Sequence, residues 1–313
     1  MKKAFAIMPD VTCDLNHKYQ KDYDIDVING HYVTPDGKEH PSEFDWSNIN
    51  KDEFFKALRK NPDGFKSAPP SVGEIYEAFE PHVKAGEPII AMSISGGLSG
   101  TYSFMTSAKE MILQKYPEAK IEVIDSRRFG PGFGLMCLYA SEMRKEGKSF
   151  EEVVKWLEDN KNRFHQSGWM DDLSFIAKKG RLTHAKAFFG SLAGIKPVGE
   201  FDYNGLTTVI GKAKGEKQAL RVLIKYIQAH IENPEDQIIF VATTNRDAQA
   251  ETFKKMIEET IKPKAVHVNP VCINCSINIG PGLMAAYYVG KPITEGLVEE
   301  TKCFNQILSE DKE

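Results

Sequence analysis

The first half of the chain alternates short, continuous apolar runs with amphipathic stretches of helical period, and that alternation leaves few folds open. Residues 4–8 and 26–33, with Ile89–Ser93 and Ile121–Asp125, read as strands. Lys51–Lys60, Val72–Lys84, Thr101–Lys115 and residues 131–146 read as helices. Strands alternating with helices of this length form βαβ units on a mainly parallel sheet, because a parallel neighbour is reached only through a long crossover. The loops after Ile7, Met92 and Ile124 are therefore expected at one sheet edge, where open α/β sheets bind ligands.

A chain of 313 residues exceeds one ordinary core, and a prior of roughly 150 residues per domain suggests two. Ser149 with Glu152 makes a capping box that opens a helix over residues 149–163. We place the boundary there: a Rossmann-like, mainly parallel α/β domain over residues 1–148 and a mixed α/β domain over 149–313. The second half then reads as a turn at Gly180–Arg181, a helix-like stretch at 185–192, and a hairpin about Tyr203-Asn204-Gly205. A helix at 217–231, a strand at 237–242, a helix at 248–260 and a strand at 265–271 follow. A glycine turn at Gly280–Gly282, an apolar helix over Leu283–Val289 and a charged tail at 309–313 complete the reading.

Charge and cysteine usage narrow the function classes. With 40 basic and 44 acidic residues the net charge is −4, without the basic surplus of a nucleic-acid binder. No apolar run approaches the ~20 residues needed to span a bilayer. Residues 1–8 pass straight into Asp10 and lack a cleavage signal, so they read as a buried strand rather than a signal peptide. The five cysteines are scattered, the pattern of a reduced, cytoplasmic protein. Cys272 and Cys275 form a C-x-x-C with no second ligand pair, so core packing is expected there and no metal site. The eight histidines are dispersed and form no metal motif or obvious triad.

Residues 92–102 (MSISGGLSGTY) leave an apolar strand and open a helix, so backbone N–H groups and the hydroxyls of Ser95 and Ser99 can meet a carboxylate or phosphate; a plain capped turn fits the pattern equally. The segment lacks the lysine of a phosphate loop and the spacing of a nucleophile elbow. Residues 66–71 (KSAPPS) read as a rigid loop in which Ser71 caps the next helix and Ser67 is left to face a ligand. Asp10 and Asp14 after the first strand, and similarly Asp125, could cap a helix or hold a metal and read chiefly as caps, while Asn278 before Gly280-Pro281-Gly282 serves either a ligand or its own turn.

Taken in order, residues 10–15 (DVTCDL), 67–71, 94–102, 124–126 (IDS), 179–182 (KGRL), Ile195-Lys196-Pro197 and Gly280-Pro281-Gly282 resemble the DegV family of fatty-acid-binding proteins over about residues 4–290. The resemblance implies a parallel-sheet domain, a second domain whose sheet wraps around helices, and one palmitate- or oleate-like fatty acid held between them, carboxylate inward. It implies no catalytic residue in the binding protein and a separate fatty-acid kinase subunit that phosphorylates the acid. The carboxylate contacts it implies are Ser67 (the family's threonine), Ser95, the Gly96 amide (the family's second serine) and Asn278 (the family's histidine), with Gly97, Ser99, Gly280 and Gly282 supporting the loops. Ala68, Pro69, Val11 and Lys214 also depart from the family pattern. The competing readings are a phosphotransferase-like enzyme using Asp10, Asp14 or a histidine, a carrier of a different acidic lipid, and a scaffold whose lipid is purely structural.

Overall fold

The computed structural model describes residues 4–44, 46, 49–182 and 194–311. The chain divides into two compact units, each assembled from several stretches: 1–48, 63–161 and 272–275 in one, 49–62, 162–271 and 276–313 in the other. This division differs from a single cut at 148/149. The helix opened by Ser149 stays with the first unit, burying Val153 and Leu157, while the helix Lys51–Lys60 belongs to the second.

In the first unit the elements are β1 (Ala6–Pro9), α1 (His17–Asp22), β2 (Gly30–Val33) and β3 (Glu39–Ser42). After α2 (Lys51–Lys60) come β4 (Lys66–Ala68), α3 (Val72–Lys84), β5 (Ile89–Ser93), α4 (Thr101–Lys115), β6 (Ile121–Asp125), α5 (Gly130–Lys145) and α6 (Phe150–Asn160). β1, β5 and β6 form a parallel sheet with β5 in the middle. Ala6, Met8, Ile89, Ala91, Ile121 and Val123 share one buried cluster with Ile75 and Phe79 of α3 and Met105, Ala108 and Ile112 of α4. On alternate positions the Cys137 thiol of α5 meets the Met92 sulfur at 3.7 Å. Burial on both faces is why these strands read as continuous apolar runs.

The stretch 26–33 is not one strand of that sheet. Asp26 N–H and Ile28 N–H donate to the carbonyls of Ile7 (3.0 Å) and Pro9 (2.8 Å), and Ile28 makes a lone parallel bridge to Asp10. The chain then turns into a separate antiparallel sheet of order β3-β2-β4. Alternating burial along β2 suits a sheet with one wet face. Residues 66–68, expected in a loop, are a strand here, with Ser67 opposite Tyr32. Ser71 caps α3 as read from sequence and forms a capping box with Glu74, and Ser149 with Glu152 forms the capping box read for α6.

The second unit adds β7 (Phe164–Met170), α7 (Ser174–Lys178), β8 (Ile195–Phe201), β9 (Thr207–Lys214), α8 (Gly215–His230), β10 (Ile238–Thr243), α9 (Asp247–Thr260), β11 (Ala265–Pro270), the part of α10 (Ile273–Ile279) from Ser276 on, β12 (Leu283–Val289) and α11 (Val298–Glu310). Its six-stranded sheet runs β11-β10-β12-β7-β8-β9, parallel only between β10 and β11. Val222, Leu223, Phe253, Ile257, Phe304 and Ile307 of α8, α9 and α11 join its core. The hairpin about Asn204-Gly205 forms as read, with Asp202 Oδ1 accepting the N–H groups of Asn204 and Leu206. Leu283–Val289, expected as a helix, is strand β12 between β10 and β7. Its run is apolar on both sides because both faces are covered, and an apolar run this short carries no helical period to tell the two apart. The expected 185–192 helix lies outside the described residues. Of the charged tail at 309–313, the described part to Glu310 continues α11.

A buried hydrogen-bonded hub ties β7, β8 and β12 together. Glu200 accepts the N–H groups of Gln166 (2.6 Å) and Phe201 (2.9 Å), the Ser167 hydroxyl (3.3 Å) and His165 Nδ1 (3.0 Å). His165 Nε2 faces the Lys291 carbonyl at 2.8 Å, and Tyr288 stacks on the ring. Removing the carboxylate leaves buried donors without an acceptor, each costing about 1–3 kcal/mol, so Glu200→Ala is expected to lower unfolding free energy by about 3 kcal/mol or more. Urea denaturation measures this, and an unchanged midpoint would contradict the role given to Glu200.

Candidate functional site

Register decides what meets at the carboxyl edge of the parallel sheet. Met92 of β5 lies opposite Pro9 of β1, and Ser93 lies opposite Asp125 of β6. The loop leaving the central strand is thus flanked by Asp10 on one side and Asp125 on the other. Both carboxylates bond its backbone: Ile94 N–H donates to Asp10 Oδ2 at 2.8 Å, and Gly96 N–H donates to Asp125 Oδ1 at 3.0 Å. Ser95 N–H donates to the Arg128 carbonyl at 2.8 Å, and Ser126 N–H to the Ser93 carbonyl at 3.2 Å.

These bonds define what each carboxylate does. Asp10 caps the turn Val11–Cys13 through the Thr12 N–H and also accepts the Thr12 hydroxyl, so the capping role read from sequence holds. Burial pushes its pKa up, opposed by the bonds from Thr12 and Ile94. Asp14, in the left-handed region at φ 52°, accepts the Cys272 N–H at 3.0 Å, and burial pushes its pKa up to about 8. Asp125 accepts the Arg127 N–H at 2.9 Å as well as that of Gly96.

Ser95, Gly96, Gly97 and Ser99 share the loop, and their own bonds are those of a capped turn. The fully buried Ser95 hydroxyl accepts the Gly97 N–H at 3.2 Å, a turn-forming contact. Ser99 meets the Thr101 hydroxyl at 2.9 Å and accepts the Thr101 N–H at 3.4 Å, capping the start of α4, whose formal cap Gly100 has no side chain. The Gly96 amide, expected to serve a ligand carboxylate, is engaged by Asp125 in this structure. A Cβ at Gly96 would stand 2.9 Å from Asp125 Oδ2, so glycine is what admits the carboxylate.

Ser67 sits half-buried on β4, and the carbonyl of its neighbour Ala68 accepts Asn274 Nδ2 at 3.3 Å. Asn278 lies on α10 in the second unit, partly exposed. Gly280 and Gly282 have φ of 75° and 111°, and a Cβ on Gly282 would come within 2.8 Å of Asp171 Cβ. Asp171 is a convergence point that sequence reasoning missed. Its N–H donates to the Gly282 carbonyl at 3.0 Å, and its carboxylate pairs with both Lys196 and Arg246. Two of the sequence motifs, Ile195-Lys196-Pro197 and Gly280-Pro281-Gly282, therefore meet on one aspartate. The pairing of Asp125 with Gly96 was missed too, since a contact across 29 positions has no local signature.

Among the described residues, no three His, Cys, Asp or Glu side chains are grouped to hold a metal ion. Nor, among them, is any helix long and apolar enough to cross a membrane.

The folded pKa of Asp14 lies above the unfolded value of about 3.9, so the folded state binds the extra proton. The stabilisation is complete below the unfolded value and fades as pH climbs towards about 8. Asp14→Asn is expected to flatten that decline in unfolding free energy between acidic pH and pH 8, and an unaltered pH slope would contradict it.

Comparison with known proteins gives consistent matches. A family model described as "Uncharacterised protein, DegV family" matches residues 4–291. A DegV domain-containing protein of Clostridium perfringens is 34% identical over 290 residues, spanning 92% of this chain and 98% of its own. Among solved structures, one described as showing fatty-acid binding of a DegV family protein from Thermus thermophilus aligns with a TM-score of 0.82 at 23% identity, covering 93% of this chain and 100% of its own. A protein of Eubacterium ventriosum described as binding stearic acid aligns at 0.77 and 23% identity, covering 92% and 98%.

Proposed function

The chain belongs to the DegV family, and we propose that it binds one long-chain fatty acid and performs no chemistry on it. The observation that carries this reading is the fold shared across nearly the whole chain with relatives described as fatty-acid binders. The proposed headgroup donors are Ser67, Ser95, Asn278 and, once released from Asp125, the Gly96 amide. Palmitate- or oleate-like acids fit the energetics. A C16 tail buries methylenes worth about 0.8 kcal/mol each, or roughly 12 kcal/mol gross. Ordering the chain and ligand offsets several kcal/mol of that. The head then needs hydrogen bonds, because a buried unpaired carboxylate is costly.

The loop at the sheet edge pairs carboxylates with backbone donors rather than a nucleophile with a base, which favours a carrier over the phosphotransferase-like alternative. Phosphorylation of the held acid is accordingly assigned to a separate fatty-acid kinase subunit. Four buried, unbridged thiols, those of Cys13, Cys137, Cys272 and Cys275, fit work in the reducing cytoplasm.

Titration calorimetry with palmitate and oleate tests the reading. Wild type is expected to bind at one-to-one stoichiometry, and failure with both acids would reject it. Ser67→Ala is expected to weaken binding by about 1–3 kcal/mol, the range for a lost hydrogen bond to a charged group. Asn278→Ala should act in the same direction, and unchanged affinity in either variant would remove that residue from the site.

A further inference from the structure

We propose that Asp125 sets the headgroup preference of the lipid site: its carboxylate competes with an acidic headgroup for the Gly96 amide and so opens the site to neutral-headed long-chain compounds. The proposal rests on the fatty-acid-carrier reading above and deepens it.

The Gly96 amide has a single hydrogen, and it is donated to Asp125 Oδ1 at 3.0 Å. That carboxylate is held in place from its own side as well, since the same oxygen accepts the Arg127 N–H at 2.9 Å, with Arg127 in the left-handed region at φ 52°. Glycine at 96 and aspartate at 125 fit as a pair, because a Cβ at 96 would lie 2.9 Å from Asp125 Oδ2 and 3.6 Å from its Cγ. Any other residue at 96 would push the carboxylate aside, and that carboxylate is the movable end of a side chain.

An ionised headgroup arriving at this loop meets a resident negative charge. Two carboxylates at one donor repel, and one of them must move away or take up a proton. A hydroxyl or primary amide head brings no charge and can donate to Asp125 as it stands. The pairing therefore weakens fatty-acid binding selectively while leaving alcohols and amides of the same tail unaffected.

The test compares palmitate, palmitamide and 1-hexadecanol on wild type, Asp125→Asn and Gly96→Ser, by calorimetry on the full chain, with circular dichroism as the check of folding. Asp125→Asn keeps the oxygen that accepts both N–H groups and removes the charge. Gly96→Ser displaces the carboxylate by the independent route of adding a side chain. Palmitate is expected to bind roughly tenfold or more tightly to both variants than to wild type. 1-Hexadecanol should bind Asp125→Asn with wild-type affinity. Palmitate affinity that is unchanged or weaker in both folded variants would overturn the proposal while leaving the carrier reading intact. Absence of binding by every C16 compound to wild type and variants alike would reject both.

Discussion

The loop after the central strand β5 is held from two sides by carboxylates at the carboxyl ends of the flanking strands. Asp10 follows β1 and takes the Ile94 N–H, while Asp125 ends β6 and takes the Gly96 N–H. A parallel sheet leaves the backbone donors of its central loop pointing beyond the last ladder bond, where unpaired N–H groups are costly if buried. Two aspartates satisfy them, and the loop is fixed before any ligand arrives. The same arrangement carries a chemical consequence, because an anion that takes the Gly96 N–H must first displace the Asp125 carboxylate.

The second unit solves a similar problem with different residues. Glu200 collects backbone and side-chain donors at the centre of the sheet, and Asp171 joins β7, β8 and the glycine turn before β12 through Lys196, Arg246 and the close approach of Gly282. In both units a short polar motif turns out to be a partner for an aspartate or glutamate distant in sequence.

What the sequence disclosed follows from how local each signal is. Lys51–Lys60, Val72–Lys84 and Thr101–Lys115 were legible because an amphipathic period and a cap are local, and β5 and β6 were legible as apolar runs bounded by turns. Leu283–Val289 was misread because burial on both faces erases periodicity. The break of 26–33 into a lone bridge and β2 depends on which neighbours each half meets. At the site, the motifs located the loop 94–99 and its residues. The bond from Gly96 to Asp125 joins positions 29 apart, and only the adjacency of β5 and β6 creates it.

The central claim, that this chain holds a fatty acid, is tested most directly by mass spectrometry of organic extracts from freshly purified protein alongside its intact native mass. One long-chain fatty acid per chain, released on denaturation, is expected. A native mass equal to that of the bare chain, with extracts free of lipid and no uptake of added palmitate or oleate, would contradict it.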